Sequence, residues 1–234
     1  MKRIFITGAN RGIGLELVRQ YLGEDTTRIF ATARQPQAAG ELQALVAAHP
    51  DRLKVVPLDV TDEAAIARAV QIVAGEVEAL DILINNAAIN PPGIQSLAQI
   101  SAETMQTTFT VNAVAPLLVA RAFQGLLEKG SHPRLVNIST QVGSMTWKTS
   151  GGSYAYAASK AALNMVTRCL AADLQPAGII TIMLHPGWVQ TDMGGVHAAL
   201  TPAESISGII KLINNLTTAE NGKFFKWNGE PHPW

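Results

Sequence analysis

The sequence predicts an α/β fold built on a doubly wound parallel sheet with helices on both faces, and three observations carry that reading. Short β-branched or apolar runs recur along the chain, with longer helical patterns between them. The runs are apolar nearly throughout, as strands covered by helices on both faces require, instead of alternating between apolar and polar. The first run leads directly into a glycine-rich turn that opens a helical pattern.

The elements follow in order. RIFI at 3–6 is the first strand, and GIGLELVRQYL at 12–22 the helix after the turn. RIFATA at 28–33 and LKVVPL at 53–58 give the second and third strands. TDEAA at 61–65 opens a helix running to about 77, with Thr61 or Asp62 as the cap that accepts from a free first-turn N–H. DILI at 81–84 is the fourth strand. SAETM at 101–105 starts the next helix, with Ser101 as cap and Glu103 near the positive end of the dipole. That pattern runs to about 128 with Pro116 inside it, and the missing N–H predicts a kink or break there. RLVNI at 134–138, a helix from Tyr154 through AALNMVTRCLAADL to 174, IITIML at 179–184 and GKFFKW at 222–227 complete seven strands. Strands alternating with helices imply right-handed βαβ units in one domain over 1–234, without linkers, repeats or low-complexity segments.

Composition narrows the partners. The chain carries 18 basic and 18 acidic residues, scattered and summing to zero, which argues against nucleic acid or a membrane surface as the main partner. Charged residues are 15% of the chain, against roughly 25% in ordinary soluble domains, and this points to subunit contacts. The one cysteine, Cys169, permits no internal disulfide. The start of the chain lacks a signal-peptide core, and no unbroken apolar run reaches membrane-spanning length, so a cytoplasmic protein is expected.

TGANRGIG, Thr7 to Gly14, carries the first chemical signal. Gly8, Gly12 and Gly14 let the backbone turn sharply and approach a pyrophosphate, while the helix behind them offers free N–H groups. The spacing is G-x-x-x-G-x-G, and a tight strand-to-helix connection is the competing reading. The second strand ends in Ala33 and Arg34, with no acid before Glu41 to take a ribose 2′-OH. Arg34, with Arg11 as a second cation, therefore favours NADP over NAD; two solvated surface arginines are the alternative. Asp59 and Val60 close the third strand, and Asn86, Ala87 and Ala88 follow the fourth, positions suited to an adenine and a ribose but also to plain turns.

GGSYAYAASKAALN at 151–164 carries the second signal. On a helix Lys160 shares a face with Tyr156, while Tyr154 points elsewhere. A tyrosine hydroxyl normally titrates near 10, and a lysine one turn away is expected to lower it, making an acid/base unit. Random placement yields such a pair roughly one time in ten, so it needs company. Asn112 in the fifth helical pattern, the hydroxyls of STQVG at 139–143, and HPGWVQTDM at 185–193 with Thr191 against a nicotinamide carboxamide supply it.

Taken together, Gly8-x-x-x-Gly12-x-Gly14, Asn85-Asn86-Ala87, Asn112, the Ser/Thr site, Tyr156-x-x-x-Lys160 and Pro186-Gly187 resemble the short-chain dehydrogenase/reductase family over essentially the whole chain. The segments around Tyr156, Trp188 and Trp227 look closest to its C-factor and sniffer-like carbonyl reductase branch. The resemblance implies a single-domain Rossmann fold with strand order 3-2-1-4-5-6-7 and NADPH-dependent hydride transfer to a small, apolar aldehyde or ketone, reversible to alcohol oxidation. It implies Tyr156 as general acid, Lys160 tuning it and holding the nicotinamide ribose, and Asn112 positioning a water. The implied cofactor contacts are Gly8, Asn10, Arg11, Gly12, Ile13, Gly14, Arg34, Asp59, Val60, Asn86, Ala87, Ala88, Tyr156, Lys160, Pro186, Gly187, Val189 and Thr191. Where the family carries serine, this chain has Thr140, whose hydroxyl still donates but whose methyl crowds the site; Ser139 is the fallback and Ser144 a weaker candidate. A homodimer or homotetramer pairing through helices 102–128 and 153–174 is also implied.

Two rival readings stand beside this one. An NADP(H)-binding regulatory protein of the same fold is motivated by Thr140 and by the signalling roles of the branch. A sugar-nucleotide epimerase or dehydratase is less expected, because little chain follows Thr191 to build a substrate domain. The five histidines have no metal-ligand spacing, so no metal site is expected. His185 reads as structural and Cys169 as a buried small side chain, while Trp147 and Trp188 border the pocket or simply pack. Loops 90–98, 141–153 and 188–200 set the pocket's shape.

Overall fold

Seven parallel strands form one sheet in the order β3-β2-β1-β4-β5-β6-β7 in the computed structural model, which describes residues 1–91 and 96–234. The strands are β1 Lys2–Ile6, β2 Thr27–Ala33, β3 Leu53–Pro57, β4 Ile82–Asn85, β5 Arg134–Ile138, β6 Ile180–His185 and β7 Phe224–Lys226. The order matches the expected one, and strand limits shift by one or two residues. Residues 92–95 of the 90–98 loop lie outside the described residues.

Alternate residues of each strand explain the near-continuous apolar runs. Ile4, Ile6, Ile29, Ile82 and Ile84 face one layer, where they meet Leu17, Val18 and Tyr21 of α1 Gly12–Leu22, Leu42 of α2 Gly40–Ala48, and Ile206, Ile209 and Ile213 of α7 Pro202–Asn214. Phe5, Phe30, Leu83 and Leu135 face the other, against Ile66 and Val73 of α3 Glu63–Ala74 and Val119, Phe123 and Leu127 of α5 Ala115–Leu127. The same layer takes Leu170 and Leu174 of α6 Tyr154–Leu174. Both faces are thus dry, as parallel sheets demand.

The caps fall where the sequence places them. Asp62 accepts from Ala64 N at 2.8 Å, and Ser101 opens α4 Ala102–Phe109 by accepting from Thr104 N at 3.1 Å. The predicted disturbance near Pro116 is a π-helical turn over Thr110–Val114, joining α4 to α5 without breaking the helix. Pro116 has no N–H to offer the Asn112 carbonyl four residues earlier, and widening the turn accommodates that loss. The joined helix Ala102–Leu127 passes the length and composition test for a membrane span, with mean hydropathy 1.3, which the unbroken-run criterion missed. Half of that stretch is buried within the fold, in contact with β4 and β5.

Two helices escape the sequence reading. α2 is short and apolar on most sides, so it has no clear stripe. α7 carries a plain signal: Thr201 accepts from Glu204 N while the Glu204 carboxylate accepts from Thr201 N, a complete capping box with Pro202 at the first position.

Candidate active site

The glycine turn is held from below. Gly8 N donates to Thr32 Oγ1 at 3.1 Å, and the Asn86 amide donates to the carbonyls of Thr7 at 3.0 Å and Gly8 at 2.9 Å. Thr7 Oγ1 in turn accepts from Asn86 N and Ala87 N. Asn86 therefore spends both its side chain and its backbone N–H on holding the turn, and Ala87 its backbone N–H, while Ala88 follows them, part-buried, past the end of β4. A Cβ on Gly14 would sit 2.3 Å from the Gly8 carbonyl, and one on Gly8, at φ +65°, 2.8 Å from Ala87 Cα. The turn is closed so tightly that only glycine fits, and the first N–H groups of α1 at Gly12, Ile13 and Gly14 have no intrahelical acceptor. A phosphate cradle has these two properties. Asn10 and Arg11 sit exposed at its lip.

The two arginines part company. Arg34 follows β2, is exposed, and forms no hydrogen bond among the described residues; its charge helps hold the Asp59 carboxyl below the usual range, after the larger effect of hydrogen bonds from Thr61. Asp59 and Val60 lie just past β3, which ends at Pro57. Arg11 reaches across to Asp192, 3.0 Å away in the loop after β6, in an exposed ion pair. That loop also rests on the turn: a Cβ on Gly12 would touch Thr191 Cγ2 at 3.4 Å. Thr191 Oγ1 accepts from Gly194 N, Val189 is buried beneath the loop, and the Pro186 carbonyl accepts from Ser205 Oγ at 2.6 Å. Gly187 adopts φ +85°, where a side chain is strained.

At the end of β5, Ser139 Oγ donates to Asn164 Oδ1 at 2.6 Å and is buried, which removes the fallback candidate. Ser144 is buried as well and accepts from Trp147 N. Thr140 is partly exposed; its hydroxyl oxygen accepts a long bond from Val142 N at 3.4 Å, and among the described residues it donates to none. α6 brings Tyr156 and Lys160 to this edge. Lys160 Nζ donates to the Ile138 carbonyl at 2.8 Å, two residues before Thr140. Tyr156 Oη lies 3.9 Å from Met193 Sδ, a weak contact at the rim. Asn112, fully buried in the π turn, donates to Ile89 O at 2.8 Å and Ser159 Oγ at 3.0 Å and accepts from Ile89 N. Its side chain is a brace between the β4 loop and α6.

Burial sets the titration of the pair. Lys160 is pushed down to about 7 and Tyr156 pushed up to about 12, each by loss of solvent. The expected lowering of Tyr156 by Lys160 is thus not what the chain's own groups produce: a lysine that sheds its proton near neutrality is a weak neighbouring charge. The consequence favours one direction of chemistry, because Tyr156 keeps its proton and is ready to donate it.

A cleft of about 480 Å³ is lined by Gln141, the residue after Thr140, with Trp147, Trp188, Trp227 and others. Both Trp147 and Trp188 are about half exposed there. His185 ends β6, buried against this cleft, and burial, then His232 and Lys226, pushes it down to about 4. Tyr154 is exposed on another face. Cys169 is exposed, against expectation, because Leu163, Thr167, Leu170 and Leu174 take the buried side of α6. Among the described residues no group of three or more His, Cys, Asp or Glu side chains is arranged for a metal.

Residues 2–199 match the short chain dehydrogenase family. The chain is 42% identical to C-signal of Myxococcus xanthus over 156 residues, 66% of this chain and 93% of that protein. It superimposes on NADPH-bound carbonyl reductase from chicken fatty liver with a TM-score of 0.94 at 37% identity, covering 100% of this chain and 99% of the other. With carbonyl reductase Sniffer of D. melanogaster the TM-score is 0.95 at 34% identity, and both chains are covered completely.

Proposed function

The chain belongs to the short-chain dehydrogenase family, and on that premise we propose that it is an NADP(H)-dependent reductase of small, largely apolar aldehydes and ketones, also able to oxidise the corresponding alcohols. Support for the cofactor comes from the glycine cradle, from the uncommitted cation of Arg34, and from the NADPH of the similar chicken carbonyl reductase. Gly8, Gly12, Ile13 and Gly14 would hold the pyrophosphate, Arg34 the 2′-phosphate, and Pro186, Gly187, Val189 and Thr191 the nicotinamide end. When bound, NADPH supplies the hydride that reduces the carbonyl carbon.

The observation that carries the reading is the tie between Lys160 and Ile138, which sets the Tyr156 helix against the strand end bearing Thr140. Thr140 donates its hydroxyl proton to the substrate oxygen and holds it beside Tyr156. Tyr156, protonated at neutral pH, passes its proton to that oxygen as charge develops there. Lys160 then returns a proton toward the tyrosine, and titration near 7 suits it to either state. The indoles of Trp147 and Trp188 exclude water and favour an apolar substrate. A cytoplasmic setting belongs to the same proposal, supported by a single cysteine that forms no internal disulfide.

The test mixes the protein with NADPH and a panel of aldehydes and ketones and follows loss of the reduced-nicotinamide absorbance. Turnover that drops about 10²–10⁴-fold in Tyr156→Phe is the expected result. A second reading, an NADP(H)-bound regulatory protein, is favoured by Thr140 at the serine position and by the similarity to C-signal. Tight NADPH binding with no turnover on any carbonyl would select it.

A further inference from the structure

The cleft next to Gln141 is walled by the three indoles Trp147, Trp188 and Trp227, yet two buried imidazoles, His185 and His232, also line it. Hydrogen bonds fix what each ring presents. Gly187 N donates to His185 Nδ1 at 3.3 Å, so that nitrogen accepts and Nε2 carries the proton. His232 Nδ1 lies 2.8 Å from the Pro233 carbonyl, which can only accept, so His232 Nδ1 carries the proton and Nε2 keeps a lone pair. The rings stand edge to face, with centroids 5.6 Å apart and planes 80° apart, and no hydrogen bond joins them. Among the described residues neither Nε2 has a partner. One donor and one acceptor, each on a largely buried imidazole, are therefore open to a ligand in a cleft whose walls are mainly indole.

We propose that His185 and His232 together bind a hydroxyl group carried by the substrate away from its reacting carbonyl, making the enzyme selective for hydroxylated aromatic aldehydes and ketones. A hydroxyl is the smallest group that accepts from His185 and donates to His232 through one oxygen. An ether oxygen at the same place accepts only, so it offers the His232 lone pair no donor while displacing the water that could supply one. An anionic group is disfavoured, since the one lysine on the cleft, Lys226, has its ammonium 2.7 Å from the Glu230 carboxylate and His185 stays neutral. The flat indole walls select a ring to carry the hydroxyl. The inference rests on the carbonyl reductase reading and adds the identity of the group recognised.

The experiment compares para- and meta-hydroxyacetophenone with their methyl ethers, using NADPH and the full chain. The expected result is a kcat/KM at least about tenfold higher for one hydroxy isomer than for its ether, expressed mainly in KM. That ratio falls toward one in His185→Phe and in His232→Phe. It persists in His232→Gln, whose side-chain carbonyl replaces the lost acceptor, and this retention separates hydrogen bonding from mere packing. Quenching of tryptophan fluorescence by the same four compounds reads the preference as binding, independently of turnover. A wild-type ratio near one for both isomers overturns the proposal, as does an unchanged ratio in folded His232→Phe. Turnover of hydroxy compounds and ethers alike refutes this inference and leaves the reductase reading standing; absence of turnover with a preserved binding preference refutes that reading and leaves the hydroxyl site.

Discussion

Lys160 Nζ lies 2.8 Å from the carbonyl oxygen of Ile138, so the helix carrying Tyr156 is tied to the end of the strand carrying Thr140. The lysine reaches that carbonyl from inside the core, where it is 2% exposed, and burial lowers its proton affinity to about 7. The bond thus fixes the geometry of the site, and burial sets the charge beneath it.

The stability of the protein should record this. Between pH 7 and the unfolded lysine value of 10.5, the unfolded chain holds a proton on Lys160 that the folded chain has shed, so stability rises with pH across that window. Tyr156 acts in the opposite sense only above pH 10, where the unfolded chain loses a proton that the folded chain keeps up to about 12. Lys160→Met removes the first effect. Urea unfolding near pH 6.5 and 9.5 should show wild type gaining on the variant by on the order of 2 kcal/mol over that interval. Parallel curves for the two proteins would mean that Lys160 keeps an ordinary proton affinity.

Thr140 is the position where this chain departs from the expected serine, and its environment makes a clear prediction. Its hydroxyl donates to none of the described residues, while Ser139 is locked to Asn164. Thr140→Ser should retain turnover or raise it, since removing the methyl relieves crowding without removing the donor. Thr140→Ala should lower kcat by about 10²–10³-fold with a smaller change in KM. Steady-state kinetics with NADPH decide it, and full activity in the alanine variant would move the role elsewhere.

How much of this was legible in the sequence depends on range. The strands were readable because Ile4, Phe5 and Ile6 are apolar on alternating sides, and burial on both faces writes a continuous run. Tyr156 and Lys160 were readable because both lie on one helix at a fixed spacing. The Ile138 carbonyl was not, since a bond across 22 positions leaves no local pattern. The same holds for Arg11 with Asp192, for Asn86 under the glycine turn and for His185 beside His232. Cys169 was misread for a different reason: an apolar helical stretch does not reveal which side of the helix the core takes. The Thr201 and Glu204 box was in plain view and marks α7 without any long-range knowledge.

The separation of the two arginines makes their contributions to cofactor choice unequal. Arg34 is uncommitted beside Asp59, whereas Arg11 is already paired with Asp192 at an exposed site. Such a pair is worth only about 0–1 kcal/mol, but the Asp192 carboxylate beside Arg11 offsets part of the charge it would offer a phosphate. Arg34→Glu should raise the Kd for NADPH about 10–100-fold and change that for NADH little, by losing a charge-assisted bond to the 2′-phosphate. Arg11→Ala should cost less than about threefold. Fluorescence titration of both cofactors measures this, and equal losses for the two variants would assign the 2′-phosphate to both.

Assembly is the remaining expectation, and the surface of the two long helices supplies its physical basis. Val114 and Leu117, one turn apart at the start of α5, are 45% and 38% exposed, and Met165 on α6 is 66% exposed. Apolar side chains on the helices joined near the active site are costly to leave in water, and a second copy packing its own helices against them would cover both sets. A homodimer or homotetramer through this surface would also account for so few charges, 15% of the residues. Leu117→Glu and Met165→Glu place a charge at the proposed contact while leaving the buried side of each helix untouched. Sedimentation velocity at micromolar concentration should show wild type as an oligomer and either variant shifted toward monomer. A wild-type chain that sediments as a monomer throughout would remove this surface as a self-association site, and the exposed residues would then need another occupant.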